Sequence, residues 1–231
     1  HITVLTTTSL ASPTMTRAWT EKFRAAGEHA VAVDAVENVG IDALADTVRE
    51  VLAEKLNRYK EKGMEGRRVR AMIVGIPNVG KSSLINRIAK SKKAKAENRP
   101  GVTLTKQWVP TDLGIDLLDM PGVLWPKFED ATVGENLALT GAIRDAILDT
   151  EELAMILCSR LVSVAREAFL TRYKLTEEEV ADLDAYDLFL LVGKKRGFLI
   201  SGGEVNTRRT AEMLLEEFRS AKIGRITLER P

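Results

Sequence analysis

Ala71-Met-Ile-Val-Gly75-Ile-Pro-Asn-Val-Gly80-Lys81-Ser82-Ser83-Leu-Ile-Asn-Arg-Ile88 decides how the chain is read. An apolar run, a glycine-bounded loop and an amphipathic stretch follow one another, which is the order of a strand, a turn and a helix. The loop fits G-x-x-x-x-G-K-[ST] at Gly75, Gly80, Lys81 and Ser82. Amides of such a loop point inward and cradle phosphate oxygens, and the following helix adds its positive end. Asn78, Val79, Gly80, Lys81, Ser82 and Ser83 are therefore the expected phosphate contacts. Lys81 is the group that reaches the β- and γ-phosphates, and the Ser82 hydroxyl is a Mg²⁺ ligand. A chance glycine loop would lack the strand before and the helix after.

Outward from this loop, the apolar run 115–118 ends in Asp119-Met-Pro-Gly122. An aspartate there can hold Mg²⁺ through water, and the Gly122 amide can bond a γ-phosphate. D-x-x-G by itself is a common turn, and its place downstream of a phosphate loop is what gives it weight. Between the two lies Arg99-Pro-Gly-Val-Thr103. Thr103 is the candidate for a further Mg²⁺ ligand when a γ-phosphate is present, which would make its loop a switch. A plain strand threonine is the competing reading.

Elsewhere the chain alternates. Residues 1–5 and 29–33 read as strands, 14–26 and 41–59 as helices, and 103–109 and 115–118 as two strands around the turn 110–114. Alternation of this kind up to about residue 125 predicts a parallel sheet in an α/β P-loop domain. From about residue 130 the pattern is helical. Asp149 with Glu152, and Thr176 with Glu179, have capping-box spacing. One helix is expected to carry its apolar side from Leu153 to Ala168, another to stop at Gly193, and a last one to cover about 207–221. These patterns predict two domains, 1–128 and 129–231.

The 231 residues are 45% hydrophobic and 29% charged, values of a soluble globular protein. No apolar run approaches the roughly 18 residues of a membrane span. Cys158 stands alone, which excludes an internal disulfide and fits a reducing compartment. Positive charge gathers in 55–70 and 87–99, and again at Lys194, Lys195, Arg196, Arg208 and Arg209. Such groups suit RNA phosphates, although ordinary solvated surface accounts for them as well.

The phosphate loop, Thr103 and D-x-x-G together resemble the translation-factor-type GTPases. Guanine selection in that class rests on [NT]-K-x-D, and no such motif follows Gly122. Instead a strand and a polar loop precede the phosphate loop, and Asp34-Ala35 stands where the class has S-A-K, so both are nucleotide-site candidates. That order looks like a circular permutation. The surrounding wording is similar to one family, the circularly permuted ribosome-assembly GTPases of the YlqF/RbgA type. Its marks are Gly75-Ile-Pro-Asn-Val-Gly-Lys-Ser82, Arg99-Pro-Gly101, Asp119-Met-Pro-Gly122, Trp125-Pro-Lys-Phe-Glu-Asp130, Thr140-Gly-Ala-Ile, Lys195-Arg-Gly197, Ser201-Gly-Gly203 and Asn206.

The resemblance implies a permuted G domain with a smaller helical, RNA-binding domain. It implies slow GTP hydrolysis stimulated by the large (50S) ribosomal subunit, in whose late assembly the family acts. The implied partners are guanine nucleotide and that subunit's RNA and proteins, with no membrane, for a cytoplasmic monomer. Val123 stands where many GTPases have a water-orienting glutamine, so catalysis falls to other groups: Lys81, and Asn78, whose counterpart in some relatives helps bind K⁺ beside the β/γ bridge.

Two departures stand out. Thr6-Thr-Thr-Ser9 replaces the family's Asn-Lys-x-Asp, so no carboxylate stands at the guanine-reading place. The family also has an upstream strand and helix with a histidine implicated in hydrolysis. The sequence begins after them, and His1 and His29 do not occupy that position. These departures keep two other readings open, a nucleotide-dependent RNA- or ribosome-binding module that does not hydrolyse, and an ATPase.

Overall fold

The structure, a computed structural model, describes residues 1–64, 66–89, 107–124 and 128–231. It divides into two compact units. One takes His1–Ser9 and the described residues of 13–124, and the other takes Leu10–Ser12 and 128–230.

In the first unit β1 (Ile2–Leu5) and β2 (His29–Ala32) pair in parallel, with Ile2 opposite His29 and Leu5 opposite Ala32. The connecting helix α1 (Pro13–Ala25) begins with proline, whose missing N–H costs nothing at that position, and carries Lys22 and Arg24 in its last turn. Helix α2 (Ile41–Glu61) leads to β3 (Val69–Ile73), and α3 (Lys81–Ile88) follows the phosphate loop. β3 pairs in parallel with β5 (Ile115–Asp119), Val69 opposite Ile115 and Ile73 opposite Asp119.

β4 (Gln107–Pro110) corrects the expected parallel sheet, because it runs antiparallel on the other edge of β5, Gln107 opposite Asp119 and Pro110 opposite Asp116. Only the short turn 111–114 joins β4 to β5, and a connection that short closes only an antiparallel pair. Buried Thr111 bonds the Ile115 carbonyl across it through both its amide and its hydroxyl. Arg68 donates to the Asp116 carboxylate and to the carbonyls of Thr111 and Ile115, at 2.6 and 2.8 Å. Val31, Val33, Leu84, Ile85, Val109 and Leu117 make the core. β5 alternates, with Ile115, Leu117 and Asp119 on its buried side. That alternation puts a carboxylate in the interior at the carboxyl end of a strand.

The second unit is helical: α4 (Ala131–Leu139), α5 (Thr150–Val164), α6 (Arg166–Tyr173), α7 (Glu177–Val180), α8 (Ala185–Lys195) and α9 (Thr207–Arg219), with a 3₁₀ turn at Asp145–Ile147. Leu157, Leu161, Phe169, Phe189, Val192 and Leu214 are its fully enclosed side chains. Polar residues open the helices as caps. Asp130, Asp184 and Asn206 each accept an amide of the first turn, and Asp149 accepts those of Glu151 and Glu152, both at 3.0 Å. Thr176 and Glu179 make the reciprocal capping box.

Two expectations change here. The long helix breaks at Ala165, whose φ of −147° is not helical, so Ala168 belongs to α6. Gly193 does not stop a helix but lies inside α8, where a Cβ would sit 2.4 Å from Val205 Cγ1 and 2.6 Å from Thr210 Oγ1. The helix closes after Lys195, with Arg196 as its C-cap and Gly197 turning left-handed (φ +69°), its amide on the Lys194 carbonyl, while the Phe198 amide returns to Gly193. Leu10–Ser12 is tied to the chain's end by three bonds: Ile226 N–H to the Leu10 carbonyl, Arg225 Nε to the Ala11 carbonyl and Ser12 N–H to Thr227 Oγ1. Cys158 is a buried free thiol, pushed up to about 12 by burial.

Candidate phosphate-binding site

The loops after β1, β2, β3 and β5 meet, as ligand sites of open α/β sheets do at the carboxyl ends of their strands. The loop after β3 makes a tight turn through Asn78 (φ +58°) and Gly80 (φ +84°), and Gly80 is the N-cap of α3. Lys81 is 8% exposed, and its ammonium donates to the carbonyls of Gly75 (3.1 Å) and Ile76 (2.7 Å) at the loop's start. A cation is thus held over a ring of backbone at the positive end of a helix, and both features favour an anion.

β5 delivers Asp119 to the same place. The Ser82 hydroxyl donates to Asp119 Oδ2 at 2.9 Å, and the buried Oδ1 has no hydrogen-bond partner among the described residues. Burial pushes the Asp119 carboxyl up, against the Ser82 bond and the Lys81 charge, which pull it down. Burial likewise pulls the Lys81 ammonium down, against the Asp119 charge. Each group is therefore short of compensation. Ser82 Oγ and the orphaned Asp119 Oδ1 are hard oxygen donors, the kind Mg²⁺ takes in ones and twos beside phosphate oxygens. The residues present fit that ion.

Gly122 packs onto the phosphate loop so closely that a Cβ would lie 2.5 Å from both Pro77 Cα and Pro77 N. The Val123 amide donates to the Gly75 carbonyl at 3.3 Å, and the residue is 70% exposed. D-x-P-G therefore leans on the loop it was paired with in sequence. Thr103, the Arg99-Pro-Gly101 run and Trp125-Pro-Lys127 lie outside the described residues.

The loops after β1 and β2 come to the same end. Thr6 Oγ1 donates to the Val79 carbonyl. Asp34 is buried, with its carboxylate taken up by the amides of Ser9, Val36 and Glu37 and by the Ser9 hydroxyl. Burial pushes its carboxyl up, but the bonds from Glu37, Ser9 and Val36 together hold it below the usual value of 3.8. Ala35 sits beside it, and its carbonyl accepts from Arg87 of α3. The sequence marked Arg87 only as part of a basic stretch and Thr6 only as part of a replaced motif; their contacts were not legible, since both join segments about fifty residues apart or more.

The basic groups named for RNA are largely engaged within their own units. Lys195 pairs with Glu179, Arg196 with Glu217 and Arg208 with Glu212, while Arg209 lies 4.2 Å over the Phe198 ring. In the first unit Arg58 pairs with Glu54, and Arg67 lies over Tyr59.

Comparison with known proteins fits this geometry. Residues 70–194 match the family described as 50S ribosome-binding GTPase. Ribosome biogenesis GTPase A of Priestia megaterium is 44% identical over 232 residues, covering all of this chain and 80% of that protein. Its counterpart in Bacillus pumilus is 42% identical over 230 residues with the same coverage. The GNP-bound YlqF structure from T. maritima superposes with a TM-score of 0.60 at 25% identity, over all of this chain and 81% of that one. A GDP-bound YlqF gives 0.63 at 24% identity over 83% of its length, a likeness of fold.

Proposed function

We propose a function from one premise: the chain belongs to the family of ribosome biogenesis GTPases. It is a circularly permuted P-loop GTPase, with GTP as substrate and Mg²⁺ as the expected cofactor. Our reading is that it acts in the cytoplasm as a monomer, in late assembly of the large ribosomal subunit. The second unit then contacts ribosomal RNA and protein. The observation that carries the reading is that Lys81, held on the Gly75 and Ile76 carbonyls, and Asp119, whose Oδ1 has no partner among the described residues, feel each other's charge at one loop.

In this reading the amides of 78–83 hold the β- and γ-phosphates, and Lys81 leaves the Gly75 and Ile76 carbonyls for phosphate oxygens. Ser82 and Asp119, with Thr103, would hold Mg²⁺, which would neutralise charge on the phosphates. Gly122, packed on Pro77, offers its amide to the γ-phosphate and so reports its presence to the chain that leads into the helical unit. Val123 cannot orient water by hydrogen bonding, which leaves hydrolysis slow until the subunit supplies or positions a group. Asn78 would help hold K⁺, which would offset charge developing on the phosphates.

Sedimentation of the protein with purified large subunits tests the central claim. Retention with a non-hydrolysable GTP analogue and release with GDP are expected, and equal retention would defeat it. Turnover should rise when subunits are added, and should be faster in K⁺ than in Na⁺; equal rates in the two salts would remove Asn78 from the catalytic account.

A further inference from the structure

The loops after β1 and β2 hold a cluster that the function above does not use. Asp34 Oδ2 accepts the Ser9 amide (3.0 Å) and the Ser9 hydroxyl (2.6 Å), and Oδ1 accepts the amides of Val36 and Glu37, both at 3.0 Å. An ionised carboxylate has about four lone-pair sites, and here each is filled. The neighbouring acceptors are engaged as well. The carbonyls of Ala35 and Val36 take the Arg87 guanidinium at 2.7 and 3.0 Å, the Asp34 carbonyl takes the Val39 amide at 3.0 Å, and the Val33 carbonyl takes the Thr8 amide. Thr6 reaches the Val79 carbonyl, and Thr7 Cγ2 lies 3.6 Å from the open Cβ position of Gly80. The cluster therefore adjoins the phosphate loop, on the side where the resemblance to permuted GTPases puts base reading.

We propose that the site bordered by this cluster and the phosphate loop binds purine nucleotides without selecting guanine, so that adenine and hypoxanthine nucleotides enter alongside guanine ones. Guanine shows two donors side by side, its ring N–H and its exocyclic amino group. Singling it out takes a fixed acceptor, and a charged one is about twice as strong as a neutral one. Asp34 is spent on holding its own loop and Ser9. The run Thr6–Ser9 brings neutral hydroxyls, which serve donors and acceptors alike. A carboxylate introduced at position 9 would meet Asp34 at hydrogen-bond distance, so the two loops as built exclude one there. Asp34 is thus a positioning residue that fixes the Thr6–Ser9 loop beside Val79 and Gly80. The proposal rests on the nucleotide reading of the phosphate loop given above.

Calorimetry of the full chain with GDP, IDP and ADP, each with Mg²⁺, tests it. Dissociation constants within about tenfold of one another are expected, because a site lacking a committed acceptor discriminates weakly. GDP binding more than about 100-fold tighter than ADP would overturn the proposal while leaving the phosphate-loop reading intact. Failure of all three to bind would overturn both. The paired variant Ser9→Asp, Asp34→Ser moves the carboxylate to the other loop and should raise the GDP-over-ADP ratio at least about tenfold. An unchanged ratio in a variant that still binds would remove these two residues from base selection. If the variant does not fold, the comparison of the three nucleotides on the parent chain decides alone.

Discussion

Asp119 at the end of β5 and Glu217 on α9 are both buried carboxylates with cations close by, and they are held in opposite ways. Asp119 has one bond, from Ser82, and an oxygen with no partner, and burial lifts its carboxyl above the usual 3.8. Glu217 receives Arg172 through two nitrogens at 2.9 and 2.6 Å, Arg196 at 3.1 and 3.0 Å, and the Tyr173 hydroxyl at 3.1 Å. Burial pushes Glu217 up too, but the Arg172 and Tyr173 bonds and the two guanidinium charges bring it below 4.5. The Glu217 carboxylate is fully engaged, although the buried Arg196 Nε beside it has no partner among the described residues. At Asp119 it is the carboxylate itself that lacks a donor, which is what a site for an outside ion requires.

The largest expected effect separates the two clusters outright. Lys81→Ala should cut GTP turnover by at least about 100-fold, on the scale of losing a charge-stabilising donor, while the melting temperature stays nearly unchanged. A turnover close to the parent's would end the contrast. Next, Glu217→Gln should leave Arg172 and Arg196 facing a neutral amide. Breaking a buried pair costs about 3–5 kcal/mol, and the partial exposure of both arginines brings this to about 2–3 kcal/mol, read from urea unfolding. Nucleotide affinity should not move.

Asp119→Asn sharpens the same contrast from the other side. Removing a poorly compensated buried charge should raise stability by up to about 1 kcal/mol, while Mg²⁺-dependent turnover falls at least about tenfold. Loss of both would mean that Asp119 is structural.

The smallest effect is in pH. Glu217 has a folded value below its unfolded one, so its stabilisation is complete above 4.5 and fades as pH falls through the lower folded value. Asp119 has the reverse sign, and its ionisation costs stability as pH rises from 3.8 through the raised folded value. Across about pH 3 to 6, unfolding free energies should flatten at the acid end in Glu217→Gln and rise at the upper end in Asp119→Asn.

How much of this the sequence could tell depends on how local each signal is. The phosphate loop and D-x-P-G are contiguous words with a fixed job, and both appear where strands end. The antiparallel edge strand was less legible, because alternation of strands and helices says nothing of a two-strand turn inserted among them. Gly193 misled because a glycine serves close packing and helix termination alike, and the neighbours that decide, Val205 and Thr210, lie farther along the chain. The break at Ala165 carries neither glycine nor proline. Asp34 was legible as a position but not as a role, since its partners on the β1 loop are 25 residues away.

The stitch made by Leu10–Ser12 has a practical consequence. Those three residues follow the first strand in sequence yet belong to the helical unit, bonded to Arg225, Ile226 and Thr227. Scissors applied after residue 126 would release a fragment with that seam unpicked and the tail at 225–227 deprived of its mates. Anyone wishing to study the helices by themselves should supply the missing tripeptide, grafted or added in trans.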